Sequence, residues 1–473
     1  MIIQIKKNLG LYLALGILSW ASPLCAKEPA QKQTNRYNVL FIAVDDLRPE
    51  LGCYGADYAQ TPNIDKLAST GMLFDKHYVQ VATCYSSRLS MLTGRSPNAA
   101  KQKPQAGARF LPELFRRSAY HTTCIGKISH SPDGRSFQYN GKGDGNMELP
   151  NAWDALPTPF GPWKRGWGSF FAYAGGKHRE DGLGNKDLMQ FTAEKDNDLP
   201  DGMMAETAIE TLREYKKSGQ RFFLGLGFFK PHLPFVAPKQ DWEAFANTDI
   251  PLPPEDKIDS KYWHASGEFY KYKAPFEKSR PLSREAILKS RRAYLACVRY
   301  TDRQVGKVLD ALKELELDQD TVVVLWGDHG WHLGEQQIWG KHSPFERANR
   351  SVLIIRVPGM QTAGVKSSAL VESLDLYPTL IELCQPSFNK TTHPLDGDSL
   401  VPLLKGGSGK KSDVAISYWK DAISVRDQTH RLIFNKKSNS SALYDLSVNP
   451  DNDTDVAAQF PEIVKRLKDA ISE

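Results

Sequence analysis

Four short segments are apolar from end to end, and they constrain the fold of this chain more than any other feature. "YNVLFIAV" (Tyr37 to Val44), "RFFLGLGF" (Arg221 to Phe228), "TVVVLW" (Thr321 to Trp326) and "SVLIIRV" (Ser351 to Val357) lack the alternation of a half-exposed strand. Strands of this kind are covered on both faces, as in a parallel sheet enclosed by helices. The helices come from "NIDKLAST", "PELFRRS", "MAETAIETLREYKK" and the long "SREAILKSRRAYLACVRYTDRQVGKVLDALKEL", with apolar residues at helical spacing. The pattern predicts an α/β fold: a doubly wound, mostly parallel central sheet with helices on both faces, across roughly residues 35 to 400.

Near Lys411 the pattern changes. "VAISYW", "AISVR", "HRLIFN" and "ALYDL" read as short strands between turns, and a final helix sets Phe460, Ile463, Val464, Leu467 and Ile471 on one face. At the other end, "MIIQIKKNLGLYLALGILSWASPLCA" places Lys6 and Lys7 before an apolar run from Leu9 to Trp20 and closes on small residues at Ala26. That is the outline of a secretory signal peptide. A lipoprotein reading through Cys25 is weaker, because Leu24 stands where a small residue is needed. The expected organisation is therefore a signal peptide over 1–26, a large domain over 27–410 and a small α+β subdomain with short antiparallel strands over 411–473. No other segment approaches about 18 consecutive apolar residues, so no membrane span is expected. Export predicts a periplasmic or secreted protein, or a lysosomal one in a eukaryote.

The net charge of +6 is scattered over the chain. It suits anionic substrates and supplies no basic arm for nucleic acid. Removing Cys25 leaves Cys53, Cys84, Cys124, Cys297 and Cys384. An odd number in an exported chain leaves at least one thiol unpaired or modified, and their scatter excludes a zinc knuckle or a disulfide scaffold. Two irregular stretches, 131–199 and 237–281, interrupt the α/β pattern. Insertions of that length are functional or disordered, and their aromatic content favours ordered loops. Trp163, Trp167, Tyr173 and Trp263 either stack on a ligand or fill a core.

Chemistry concentrates at strand ends. In "AVDDLRP", Asp45 and Asp46 follow a strand; in "VVVLWGDHGWHLGE", Asp328 and His329 follow another. Ligands of open α/β sheets bind beyond the carboxyl ends of the strands. These four residues form a mostly oxygen-based metal shell, which favours calcium or magnesium, while the imidazole keeps zinc or manganese open. Lys127 and His130 in "CIGKISH", His232 in "GFFKPHLPF" and Lys341 in "IWGKHSPF" add cationic and titratable groups, as expected of an anion site with general acids and bases. Arg88 and Arg95 in "TCYSSRLSMLTGR" supply planar donors for a tetrahedral oxyanion.

Taken in order, "NVLFIAVDDLRPELGCYG", "TPNIDKLASTGMLF", "CYSSRLSMLTGR", "FFLGLGFFKPHLPF", "GDHGWHLGEQQIWGKHSPFE" and "LYDLSVNPDNDTDVA" resemble the type I sulfatases of the alkaline phosphatase superfamily. Within them the chain is most similar to the iduronate-2-sulfatase group. The resemblance implies an alkaline-phosphatase-like fold and a sulfatase that removes an O-sulfate from a sulfated glycan, either the uronate 2-O-sulfate of a glycosaminoglycan or a sulfate of an algal galactan or ulvan. It implies that Cys84 is converted by a maturase to formylglycine, whose hydrate attacks sulfur and whose second hydroxyl then expels sulfate. It implies one calcium ion on Asp45, Asp46, Asp328, His329 and the residue at Cys84. Arg88 and Lys127 then hold the formylglycine and sulfate oxygens, His130 acts as a base, and His232 with Lys341 binds sulfate and protonates the leaving alcohol. The maturation signal departs from the family pattern at Ser86, where Pro or Ala is usual; Arg88 and "LTGR" are retained. Two alternatives stand beside this reading: a phosphate or phosphonate monoesterase on the same fold, and a non-catalytic glycan-binding relative.

Overall fold

The structure, a computed structural model, describes residues 37–97, 107–254, 260, 262–263, 266–408 and 412–471. The expected signal peptide over 1–26 lies outside the described residues.

The four apolar runs are all strands of one eight-stranded sheet. Strands β1 (Asn38–Val44), β2 (Met72–Tyr78), β3 (His121–Gly126), β4 (Phe222–Phe228), β5 (Thr321–Gly327), β6 (Leu353–Arg356) and β7 (Lys366–Glu372) lie in the order β7-β2-β6-β5-β1-β4-β3. A two-residue strand, Arg350–Ser351, continues the β6 line along β2. All neighbours are parallel except β6, which runs antiparallel to β5 and β2. Every residue of β1, β4 and β5 is buried. Alternate side chains of β1 go to opposite layers: Leu40, Ile42 and Val44 join one core and Val39, Phe41 and Ala43 the other. That division is why these runs carry no polar alternation.

The helices α1 (Pro62–Thr70), α2 (Cys84–Thr93), α3 (Pro200–Ser218), α4 (Arg284–Glu314) and α5 (Leu376–Cys384) cover the two faces. Ala205, Leu212, Val298 and Val305 of α3 and α4 close the first core, and Met91, Leu92, Leu376 and Leu380 of α2 and α5 close the second. Local signals set the ends of the long helices. Pro200 opens α3, Gly219 stops it in the left-handed region at φ 66°, and Ser283 caps α4 by accepting from the Ala286 amide.

Strands β8 (Ala415–Trp419), β9 (Ala422–Arg426), β10 (His430–Asn435) and β11 (Ser440–Asp445) form an antiparallel meander, with α6 (Pro461–Asp469) laying Leu467 against Val425, Leu432 and Leu443. This sheet grips the approach to α2. The Tyr418 amide donates to the Gln80 carbonyl at 2.7 Å and Ser417 Oγ to the Val79 carbonyl at 2.6 Å. Beneath it lies Glu346, which accepts from Tyr78 Oη at 2.9 Å and from Arg431, with Arg426 Nε 3.3 Å away.

Several aromatics of the first irregular stretch prove to be core. Trp163 donates its indole N–H to the Tyr173 carbonyl at 2.9 Å, and Trp167 and Tyr173 belong to the main apolar cluster. Trp263 is half-buried and donates to the Gln336 carbonyl at 2.8 Å. All five cysteines from Cys53 onward are free thiols.

Burial alone would raise the Glu346 carboxyl, but Arg431 and Arg426 hold it down at about 2. A depressed carboxylate stabilises the fold above its unfolded value and loses that contribution as pH falls through the folded one. The drop from the ordinary 4.5 corresponds to about 3 kcal/mol. Urea unfolding of the wild type and of Glu346→Gln should therefore differ by about that amount at neutral pH, and the gap should close between about pH 4.5 and pH 2.

Candidate active site

Four neighbouring parallel strands deliver polar residues to one end of the sheet. Asp45 and Asp46 leave β1, Asp328 and His329 leave β5, Lys127 leaves β3, and His232 lies in the loop after β4. Because β3, β4, β1 and β5 are adjacent, residues far apart in the chain meet. The close approach of β3 and β4 depends on glycine: Gly126 sits at φ 74°, where a Cβ would come 2.1 Å from the Gly227 carbonyl oxygen.

Cys84 arrives from elsewhere, as the first residue of α2. One donor atom from each of Asp45, Asp46, Cys84 and His329 lies within 4.8 Å of the others. Cys84 Sγ stands 3.2 Å from Asp45 Oδ1 and 3.3 Å from both His329 Nε2 and Lys341 Nζ. Asp328 completes the floor. Its Oδ1 accepts the Asp46 amide at 3.0 Å and lies 3.6 Å from His329 Nε2, while Oδ2 takes Arg88 Nε at 2.8 Å. Arg88 also reaches the Lys127 carbonyl, and Lys127 Nζ pairs with Asp45 Oδ2. Lys341 Nζ sits 2.9 Å from Asp46 Oδ1.

The backbone holds this floor rigidly. Asp46 adopts φ 63°, a left-handed conformation that Asp tolerates better than most residues. Its amide is fixed by Asp328, and its carbonyl accepts from Tyr294 Oη at 2.8 Å. His329 Nδ1 donates to the Gly330 carbonyl at 3.0 Å, and His232 Nδ1 to the Leu233 carbonyl at 2.7 Å. Each ring therefore turns Nε2 inward, toward the floor.

Charge at the floor is dense and buried. Burial opposes ionisation of Asp45, yet Lys127, His232, Arg88 and Lys341 together hold its carboxyl well below the usual range. Burial pushes Asp46 up to about 7 despite Lys341 and His329. Burial, and then Asp45, raise the Cys84 thiol above its ordinary value. Burial and then Lys127 push His130 down to about 3, so it is a neutral imidazole at physiological pH.

These residues fit a cation. Asp46 Oδ2 is buried and makes no hydrogen bond, His329 presents Nε2, and two carboxylates face the same point. The oxygen-rich donor set suits calcium, and the sulfur of an unmodified Cys84 is its one soft member.

Above the floor opens a cavity of 590 Å³ whose walls include Cys84, Lys127, His130, His232 and Lys341. Arg95 does not reach it: it lies past the far end of α2, and a ten-residue helix is about 15 Å long. Of the insertion aromatics, Trp167 lines the cavity, and Trp163, Tyr173 and Trp263 do not. The residues missed by sequence reasoning are on the upper walls. Tyr85, Tyr139, Arg179, Lys186, Glu268 and Lys271 all line the cavity. None but Tyr85 follows a recognisable motif, because all the others come from the two irregular stretches. Tyr85 adjoins Cys84 and stands edge-on to His130 at 5.6 Å.

Comparison with known proteins decides the family. A sulfatase model matches residues 37–386, and an N-sulphoglucosamine sulphohydrolase C-terminal model matches residues 334–473. The chain belongs to the sulfatase family. It is a sulfuric ester hydrolase, close to the iduronate 2-sulfatases. Human iduronate 2-sulfatase is 32% identical over 84% of this chain and 74% of its own length. A sulfatase of Formosa agariphila is 31% identical over 95% of this chain and 88% of its own. Among solved structures, the phosphonate monoester hydrolase of Agrobacterium radiobacter superposes with a TM-score of 0.76 at 21% identity, covering 92% of this sulfatase and 95% of that chain. A 2-O GAG sulfatase superposes with a TM-score of 0.67 at 20% identity, covering 92% and 91%. The fold is alkaline-phosphatase-like, as the sequence resemblance implied.

A floor whose donors fit a cation makes a direct prediction. Chelator-treated protein should bind one calcium ion per chain by titration calorimetry and melt higher with calcium. The gain should be about 2.7 kcal/mol at a hundredfold excess over Kd. Asp46→Ala should lose both responses.

Proposed function

We propose that this sulfatase hydrolyses an O-sulfate ester on a sulfated glycan. The substrate is a uronate 2-O-sulfate of glycosaminoglycan type, or a sulfate of an algal galactan or ulvan. One observation carries the reading: Cys84, two carboxylates and two buried ammonium groups converge at the floor of one cavity. The names of the relatives support the glycan class, since they include iduronate 2-sulfatases and an N-acetylglucosamine-6-O-sulfatase of Bacteroides thetaiotaomicron.

In this reading a maturase converts Cys84 to formylglycine, whose hydrated aldehyde supplies an oxygen nucleophile for sulfur, and calcium on Asp45, Asp46, Asp328 and His329 supplies positive charge beside it. The remaining work belongs to the chain itself. Lys127, Lys341 and His232 Nε2 surround the place where sulfate oxygens sit, and buried donors are worth most where charge develops. Arg88, tied to Asp328 and to the Lys127 carbonyl, braces the floor and aims the neighbouring Lys127. His232, turned by the Leu233 carbonyl, donates a proton from Nε2 to the leaving alkoxide. His130 is a neutral imidazole on the cavity wall near Cys84 and would accept a proton there.

The phosphonate monoester hydrolase likeness is a likeness of fold. Lys127 and Lys341 place two ammonium groups on the cavity floor beside Asp45 and Asp46, and their charge opposes a second metal ion there, which argues against a two-metal phosphatase.

Sulfate release should be measured on a panel of sulfated uronate, galactan and ulvan oligosaccharides, with a phosphate and a phosphonate monoester alongside. Mass spectrometry of the Cys84 peptide should show conversion despite Ser86. Cys84→Ala should lose at least about 1000-fold in kcat/KM, and Lys127→Met about 100- to 1000-fold. Active protein containing only the intact thiol, or two tightly bound zinc ions per chain, would overturn the mechanism.

A further inference from the structure

An acidic side chain faces this anion site and has no role in the chemistry above. Glu268 lines the cavity beside Lys341 and His232, with Oε2 3.5 Å from Lys341 Nζ and Oε1 3.4 Å from His232 Nε2. Oε2 makes no hydrogen bond. The residue is held in place by the turn that follows it. Phe269 is fully buried and packs on Trp339 at 5.0 Å, and the Lys271 amide donates back to the Glu268 carbonyl at 3.2 Å. Burial opposes its charge, but Lys341 and His232 hold the carboxyl well below the usual range, so it is an anion.

A carboxylate at this distance from a sulfate-binding pair repels the substrate unless it recognises something the substrate carries. Ionised, it offers acceptors and no donor. It stands beside the two groups that grip the ester, so it faces the ring positions flanking the sulfated carbon. The geometry points to Glu268 as a specificity-determining residue that accepts a hydrogen bond from a free hydroxyl next to the sulfate ester and excludes a second anionic group there. The inference rests on the sulfate-ester reading and narrows it. The preferred substrate is a sugar with one sulfate flanked by an unmodified hydroxyl, and a vicinally disulfated ring is rejected by like charge at close range.

The test uses three methyl glycosides of a 2-O-sulfated uronic acid, with the neighbouring 3-hydroxyl free, absent, or itself sulfated. The wild type should prefer the free hydroxyl over each of the others by at least about 100-fold in kcat/KM, because the pocket leaves a charged acceptor unpaired or opposed. Glu268→Gln keeps an acceptor and removes the charge, so its discrimination against the 3-sulfated compound should shrink at least about tenfold. Glu268→Ala should also lose its preference over the 3-deoxy compound. Loss of support for His232 or Lys341 lowers the rates on all three compounds together and leaves the ratios unmoved. Calorimetric binding of the same compounds to Cys84→Ala protein reads the preference without turnover, so a failure of the hydrolase reading is distinguished from a failure of this one. Unchanged ratios in both Glu268 variants, in turnover and in binding, would overturn the assignment.

Discussion

The ion pairs at the ends of β1, β3 and β5 are the interaction on which the rest of this sulfatase depends. Asp45 with Lys127, Asp46 with Lys341 and Asp328 with Arg88 bury three carboxylates and three cations below one cavity. Removing one partner from such a pair leaves an uncompensated buried charge, which costs roughly 3–5 kcal/mol. The pairs therefore hold only if the strands stay in register, and the apolar sheet enforces that register. The packed core has a functional task, which is to bring opposite charges from distant parts of the chain to hydrogen-bond range.

The surrounding architecture feeds this floor. The C-terminal meander binds the Val79 and Gln80 carbonyls and so holds the segment that leads Cys84 into α2. A second buried network supports the loop after β1 from beneath. Arg48 and Arg291 meet Glu50 and Glu335, while Tyr294 bridges the Arg48 amide and the Asp46 carbonyl. Ionic groups are here used for geometry: they fix where a backbone turns, and the backbone then aims the carboxylates.

The upper cavity follows different rules. Its walls mix aromatic faces, cations and two carboxylates, Glu180 and Glu268, drawn from loops that cross the sheet end. Arg179 stacks on Phe171 with its guanidinium 3.3 Å from the ring centroid and donates to Tyr272 Oη at 2.7 Å, so even this loop-borne cation is fixed before any ligand enters. The site thus pairs an ion-paired floor carried by strand ends with a varied wall carried by loops.

The sequence by itself determined the buried strands and the residues at their carboxyl ends. A run covered on both faces leaves an apolar signature, and the turn after it exposes its polar residues in one stretch of chain. Asp45, Asp46, Asp328 and His329 were legible for that reason, and Cys84 through the resemblance of "CYSSRLSMLTGR" to a family motif. Strand β2 was not, because Asp75 and Lys76 interrupt its apolar pattern, and β7 alternates between exposed and half-buried positions before its buried end. Only the tertiary structure decided that Arg95 stays outside the cavity, that Trp163 and Tyr173 are core, and that Glu268 faces Lys341 and His232. Irregular segments carry no period, so their side-chain directions are set by contacts with residues far along the chain, such as the packing of Phe269 on Trp339 that turns its neighbour Glu268 toward Lys341.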